Sequence, residues 1–296
     1  MADPRIAFIG GSGLYEMDGL SDVRHVEVDT PFGPPSDSIA IGSVDGVTAA
    51  FLPRHGRGHR LSPTEIPAMA NIYALKTLGV ERIVSVSAVG SLRDHIRPLD
   101  MLIPDQIIDR TRNRTSTFFG NGIVAHIAFS DPFCLEISSV LAGAAGKQAT
   151  THVGGTCVVI EGPQFSTRAE SELYRSFGAD IIGMTALPEA KLAREAEMCY
   201  ATLALVTDFD TWHQTEDDVS VDLIIANLRR NVASSRLVMR EVASELPTER
   251  SCACGHALES AIVTDPEYIG NEARERLAAI IGNRVPNADA AADIPV

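Results

Sequence analysis

The chain has 296 residues, 45% of them hydrophobic, and a formal net charge of −14 from 25 basic and 39 acidic residues. That length and apolar content support one large α/β domain, and the acidic balance argues against a nucleic-acid binder, whose phosphate partner demands a basic face. No apolar run nears the roughly 18 residues of a membrane helix, and the opening MADPRIAFIGG has acid and proline where a signal peptide has basic and then apolar residues. A cytoplasmic protein with no membrane partner is expected.

The first apolar run, RIAFIGG, is read as a strand that ends in Gly10, Gly11, Ser12 and Gly13. Its backbone N–H groups and hydroxyl suit an anion, although a plain tight turn fits as well. The turn is neither G-x-G-x-x-G nor a Walker A sequence, so no nicotinamide cofactor or ATP is indicated. The next strand, VTAAFLPRHG, runs into PRHGRGHR, Pro53 to Arg60, with three arginines and two histidines in an acidic protein. An anion-binding loop accounts for that concentration, because guanidinium forks match phosphate oxygens, with a solvated basic loop as the alternative. A helix over PTEIPAMANIYALKTLG follows, then a strand ERIVSVSAVG that ends in the hydroxyls and glycine of SVSAVGS.

Further strands are read at DMLIPDQII, GGTCVVIEG and DIIGM. Between them Asn113-Arg114-Thr115 matches a glycosylation sequon, without meaning in a cytoplasmic chain. Thr167 with Glu170 three places on resembles a capping box, so RAESELYRSFG is expected to be a helix ending at Gly178. In GMTALPEA, Thr185 stands just before Pro188-Glu189, the first turn of another helix. The last strand, YATLALVTDFD, ends on Asp208 and Asp210. Such a pair either caps the strand and its turn or meets a ligand. After it, SVDLIIANLRR has Val221, Ile224 and Ile225 at helical spacing, suited equally to a ligand cavity and to core packing. The alternation predicts an α/β fold with a largely buried central sheet.

Ligands in such sheets collect at the carboxyl ends of the strands. Together these ends describe one phosphate held by Ser12, Arg54, His55, Ser87 and Thr185. Of the five cysteines, Cys134, Cys157 and Cys199 stand singly among apolar residues and are read as core thiols. Cys252, Cys254 and His256 of CACGH are close enough for a metal or a strained disulfide, but the missing second ligand pair favours chance or redox chemistry over metal. The tail VPNADAAADIPV, residues 285–296, reads as a frayed end after one domain over 1–284.

The segments IGGSGLY, TPFGPPSD, RHGRGHR, AVGSL, IEGPQFSTRAES, GMTALPEAKLAREA and TDFDTW resemble, in that order, the blocks of the trimeric purine nucleoside phosphorylase family, and within it of its methylthioadenosine-cleaving branch. The likeness runs from about Ile6 to about Val232. It implies a single α/β domain around a mixed, partly barrel-like sheet, assembled as a homotrimer. It implies a reaction in which inorganic phosphate attacks the anomeric carbon of methylthioadenosine, releasing adenine and 5-methylthioribose 1-phosphate. No metal or organic cofactor is implied; phosphate is a co-substrate. Carried over by motif, phosphate falls to Ser12, Arg54, His55, Ser87, the Ala88 backbone and Thr185. Phe165 and Met184 would bracket base and ribose, Asp208 and Asp210 would hold the purine, and the apolar positions Val221 and Ile224 would meet the methylthio group. His126 would reach into the 5′ region of a neighbouring subunit's site. Ser12 and Ser87 stand where threonine is usual, which keeps the hydroxyl donor. Ala186 stands where some members have a second threonine, which leaves one phosphate hydrogen bond in doubt.

The chemistry is consistent with that set. Glycosidic cleavage builds positive charge on the ribose, which an anion beneath it stabilises while serving as nucleophile. The departing adenine needs a proton or a strong hydrogen bond at N7, which a carboxyl of raised pKa can give, while the second carboxylate accepts from the exocyclic amine. A purine nucleoside phosphorylase acting on adenosine or inosine is the nearest alternative, and a non-catalytic nucleotide-binding protein a remote one.

Overall fold

The computed structural model describes residues 3–11, 19–213 and 221–285, with the backbone alone at Val221, Leu223 and Asn283. In chain order the strands are β1 (Ile6–Gly10), β2 (Leu20–Val26), β3 (Ile39–Val44), β4 (Val47–Pro53), β5 (Arg82–Ser91), β6 (Met101–Ile103), β7 (Gln106–Arg110), β8 (Thr151–Val153), β9 (Thr156–Ile160), β10 (Ile181–Gly183) and β11 (Cys199–Phe209). The helices are α1 (Ala68–Thr77), α2 (Leu135–Gly146), α3 (Arg168–Ser176), α4 (Ala186–Glu195), α5 (Val221–Glu245), α6 (Asn271–Arg276) and α7 (Ala278–Ile281).

All the strands join one mixed sheet in the order β2-β3-β4-β1-β5-β10-β9-β7, which branches where β11 pairs with β5 and then with β6, itself paired with β8. The branch lies on β5. Its first half runs parallel to β1, its end pairs antiparallel with β10, and its whole length runs parallel to β11. At the branch β5 and β11 are buried along almost their whole length, on both faces. DMLIPDQII is two strands rather than one, because Pro104 lacks the N–H that a continuous ladder requires. The polar, exposed edge strand β2 and the short β8 lack the apolar run that marks a buried strand in sequence.

The predicted capping box is present. Thr167 Oγ1 accepts from the Glu170 N–H at 3.2 Å, Glu170 accepts from the Thr167 N–H at 2.8 Å, and the chain leaves α3 through Gly178 at φ +86°. Val285, placed with the tail, is buried against the main core, and residues 286–296 lie outside the described part of the chain. Among the described residues no helix is long and apolar enough to cross a membrane.

Candidate active site

The carboxyl ends of β4, β5, β10 and β11 surround a cavity of about 650 Å³, completed by Gly11 after β1 and by α5. Arg54, His55, Ser87, Ala88, Phe165, Met184, Thr185, Asp208, Asp210 and Ile224 all line it. Ser12 lies outside the described residues, and at Val221 only the backbone is described. His126 is exposed and is not part of this chain's cavity lining; its backbone N–H donates to Ala261 O at 2.8 Å.

One end of the cavity is cationic and hydroxyl-rich. Ser87 Oγ and Thr185 Oγ1 meet at 3.2 Å, although they stand 98 positions apart in the chain. Thr185 heads α4 without capping it, because Leu187 is non-helical and the regular turns begin at Pro188; the hydroxyl faces Ser87 instead. Arg54 is almost fully buried. Its Nε donates to Glu189 Oε1 at 2.5 Å, and Nη2 donates to Glu189 Oε2 at 3.1 Å and Ser85 Oγ at 2.6 Å. Nη1 donates to Val86 O at 3.0 Å, which leaves its second hydrogen for a ligand. The expected bidentate grip on phosphate is therefore replaced by a bidentate grip on Glu189, and Arg54 offers a ligand a single, rigidly aimed donor. Tyr200 adds a hydrogen bond to Glu189 Oε2 at 3.0 Å. A buried ion pair needs such saturation, since neither charge can reach water.

His55 Nδ1 lies 2.8 Å from Leu61 O, and its ring stacks on His59 at 4.1 Å between centroids. Burial, reinforced by the neighbouring Arg54 charge, pulls the imidazole pKa down to about 4. At neutral pH the ring is uncharged and donates through Nδ1, so Nε2 is an acceptor. That tautomer suits the O–H of a monoprotonated phosphate.

At the other end β11 carries a bulge. Val206 pairs with Val89 and Asp208 with Gly90, so Thr207 is the extra residue. Asn227 of α5 takes the Thr207 carbonyl at 2.7 Å, and Asn231 donates to Val206 O at 3.2 Å, which ties the helix to the bulge. Asp208 Oδ2 and the Asp210 Cβ then both lie over Gly90. A Cβ added there would lie 3.2 Å from Asp208 Oδ2 and 3.5 Å from Asp210 Cβ, so a side chain at this position would crowd the pair. Asp208 Oδ1 accepts from Thr207 Oγ1 at 2.6 Å. Burial raises the Asp210 pKa, partly opposed by the Ser171 hydroxyl and the Thr211 N–H, and its Oδ2 is buried without a hydrogen-bond partner. Ser166 Oγ, also on the cavity wall, is likewise buried and unpartnered.

Between the two ends lie Phe165 and Met184. The Met184 side chain packs against Gly162, where φ is +67° and a Cβ would come within 2.5 Å of the sulfur. Arg114 holds this region together by donating to Met184 O at 2.6 Å, Leu187 O at 2.7 Å and Glu161 O at 2.6 Å. Ile224, Ile225, Leu228 and Val232 of α5 make an apolar wall. The face of α5 left open between ligand and core therefore turns to the cavity at Ile224 and Ile225.

Sequence reasoning missed Glu189, Asn227, Asn231 and Arg114. Glu189 was read only as a helix start, and no sequence signal pairs it with Arg54, 135 positions away. Asn227 and Asn231 did carry a signal: two amides at i, i+4 in an amphipathic helix, a spacing that puts them on one face.

The model of the phosphorylase superfamily matches residues 5–244. The chain is 58% identical to the S-methyl-5′-thioadenosine phosphorylase of Geobacter sulfurreducens over 282 residues, 95% of this chain and 99% of that one. It is 56% identical to the enzyme of the same name from Koribacter versatilis, over 94% of this chain and 95% of that one. Among solved structures, a methylthioadenosine phosphorylase from an Antarctic soil metagenomic library superposes with a TM-score of 0.89 at 54% identity, covering 95% of this chain and 99% of that one. A Schistosoma mansoni methylthioadenosine phosphorylase in complex with adenine superposes with a TM-score of 0.82 at 35% identity, covering 87% and 98%.

Proposed function

Because the chain belongs to the phosphorylase superfamily, we propose that its cavity catalyses the reversible phosphorolysis of 5′-methylthioadenosine to adenine and 5-methylthioribose 1-phosphate. The observation that carries this reading is the division of one cavity into an end of hydroxyls and a single guanidinium hydrogen, an end lined by two aspartates, and an apolar wall. Phosphate occupies the first end, where Ser87, Thr185, the Ala88 backbone, Arg54 and His55 hold it, together with Ser12. It attacks the anomeric carbon as the bond to the base breaks. Positive charge grows on the ribose above the phosphate, and the anion stabilises it. The electrons of the broken bond leave on adenine, which takes a proton at N7 from the carboxyl pair.

Asp208 and Asp210 share the work at the base. Burial raises the Asp210 pKa, which suits it to give the proton, while Asp208, which accepts from the Thr207 hydroxyl, faces the exocyclic amine. An ionised carboxylate only accepts, so it pairs with an exocyclic amine and repels a 6-oxo group. Phe165 and Met184 flank base and ribose, and the α5 wall meets the methylthio group; the same wall would leave a polar 5′-hydroxyl without a hydrogen-bond partner. This wall favours methylthioadenosine over adenosine or inosine.

The family's oligomeric habit and the exposure of His126 support a homotrimer in which His126 borders a neighbour's site. Inorganic phosphate is a co-substrate, and the reaction calls for no cofactor. The test is release of free adenine from methylthioadenosine with and without phosphate, beside adenosine, inosine and methylthioinosine. Phosphate-dependent release with methylthioadenosine foremost supports the reading. Equal use of the 6-oxo nucleosides, or release without phosphate, refutes it.

A further inference from the structure

Four of the five cysteines meet in space far from the cavity. Cys134 precedes α2, Cys199 opens β11, and Cys252 and Cys254 belong to the segment after α5. Their Sγ atoms all lie within 4.8 Å of one another, with Cys199 and Cys252 at 3.3 Å. The single cysteines read as core thiols thus supply the second ligand pair that the C-x-C motif lacked. His256 is not part of the group; it is exposed and bonded to Glu259 at 2.6 Å.

We propose that Cys134, Cys199, Cys252 and Cys254 form a structural tetrathiolate site for a soft divalent cation of the zinc class. Zinc–sulfur bonds of about 2.3 Å in a tetrahedron set the sulfurs roughly 3.8 Å apart, a spacing that this group can adopt with small side-chain movements. Three ligands are buried and Cys252 is half-buried, which gives a closed site with one accessible side for metal entry. The surrounding chain is already fixed. Ser251 donates to Glu136 at 2.8 Å through its N–H and at 2.6 Å through its hydroxyl, and Arg250 donates to Glu197 O at 2.8 Å.

Binding four thiols to a dication releases four protons and leaves a centre of net charge −2, with no electron transferred. A cation beside that centre lowers its cost. Arg82, the register partner of Cys199, is buried with Nε and Nη2 unpartnered by hydrogen bonds, and its nearest acids stand at 3.5 and 3.6 Å. Disulfides would need an external oxidant to take the electrons; coordination needs none. The site would staple the segment after α5 to α2 and to the start of β11.

The test uses the full chain expressed with zinc and purified under reductant without chelator. Elemental analysis is expected to give about one zinc per chain. Cobalt(II) added to the reduced, metal-free protein is expected to give the charge-transfer and visible bands of a tetrahedral tetrathiolate. Cys252→Ser, at the half-buried position, is expected to lose most of the zinc and the tetrathiolate spectrum while keeping phosphorolysis. Cys157→Ser, at the remaining cysteine, is expected to keep all three. Zinc content below about a tenth per chain with no cobalt bands overturns the proposal. So does a reduced protein that refuses metal yet loses about two or four mass units on air oxidation, the mark of disulfides among the same sulfurs.

Discussion

The two ends of the cavity manage their charges in opposite ways. At the phosphate end all but one of the Arg54 hydrogens are engaged: Glu189 fills the fork, Ser85 and Val86 take further hydrogens, and Tyr200 completes the carboxylate. At the base end Asp210 Oδ2 and Ser166 Oγ are buried without partners. A saturated network adds rigidity and is costly to break, whereas an unsaturated one weakens the fold until a ligand completes it. The contrast leaves the guanidinium end rigid and the carboxylate end with buried polar atoms that the chain's own packing does not satisfy.

The largest expected effect comes from breaking the saturated end. Glu189→Gln leaves Arg54 buried without a counter-charge and is expected to cost about 3–5 kcal/mol of stability. Chemical denaturation checks it, and a loss under about 1 kcal/mol would show that the pair is not the anchor. Arg54→Ala is expected to destabilise similarly, because it strands Glu189, so its weakened use of phosphate must be read beside its stability.

At the unsaturated end the sign for stability reverses. The folded-state pKa of Asp210 is raised, so its ionisation weakens the fold as pH rises through the acid range. Asp210→Asn is expected to melt about 2 °C higher at neutral pH and to lose about 100-fold or more in adenine release. Relative activity should shift towards 6-oxo nucleosides. A variant that melts lower, or keeps full activity, would dissolve the contrast between the two ends.

The next effect is a pH slope. His55 is held neutral down to about pH 4 by burial, against an unfolded value near 6.5. Its contribution to stability is therefore intact above about pH 6.5 and is lost as pH falls towards 4. His55→Gln is expected to remove up to about 1.4 kcal/mol per pH unit from the slope across that window. Identical slopes in the two proteins would mean that the imidazole is not buried as described.

The smallest effect concerns the apolar wall. Ile224→Ala is expected to cut kcat/KM for methylthioadenosine about tenfold and to affect adenosine less, narrowing the preference between them. Equal losses on both nucleosides would assign Ile224 to core packing alone.

Strand ends and caps were legible because they are local. The apolar runs of β1, β4, β5, β9, β10 and β11 announce themselves, and the Thr167–Glu170 box lies within one helical turn. Arg54, His55, Ser87, Thr185, Asp208 and Asp210 were identifiable as strand-end residues, and most strands of an α/β sheet bring their carboxyl ends together. What could not be read is whatever depends on one side chain finding another across the chain. Nothing in Glu189 says that it will occupy the Arg54 fork. Nothing in TDFD says that Thr207 is a bulge residue, which shifts the register so that Asp208 pairs with Gly90.

The sequence by itself determined the α/β class, the order of the main strands and the residue types offered at their ends, because periodicity and turn chemistry act within a few residues. Only the tertiary structure decided which of those offers were already taken. Hydrogen-bond capacity is finite, so Arg54 had one donor left once Glu189, Ser85 and Val86 were served, while Asp210 retained an unpartnered oxygen. It also decided that four cysteines from three distant segments share one place, since proximity across a fold follows from sheet topology and helix docking rather than from spacing along the chain.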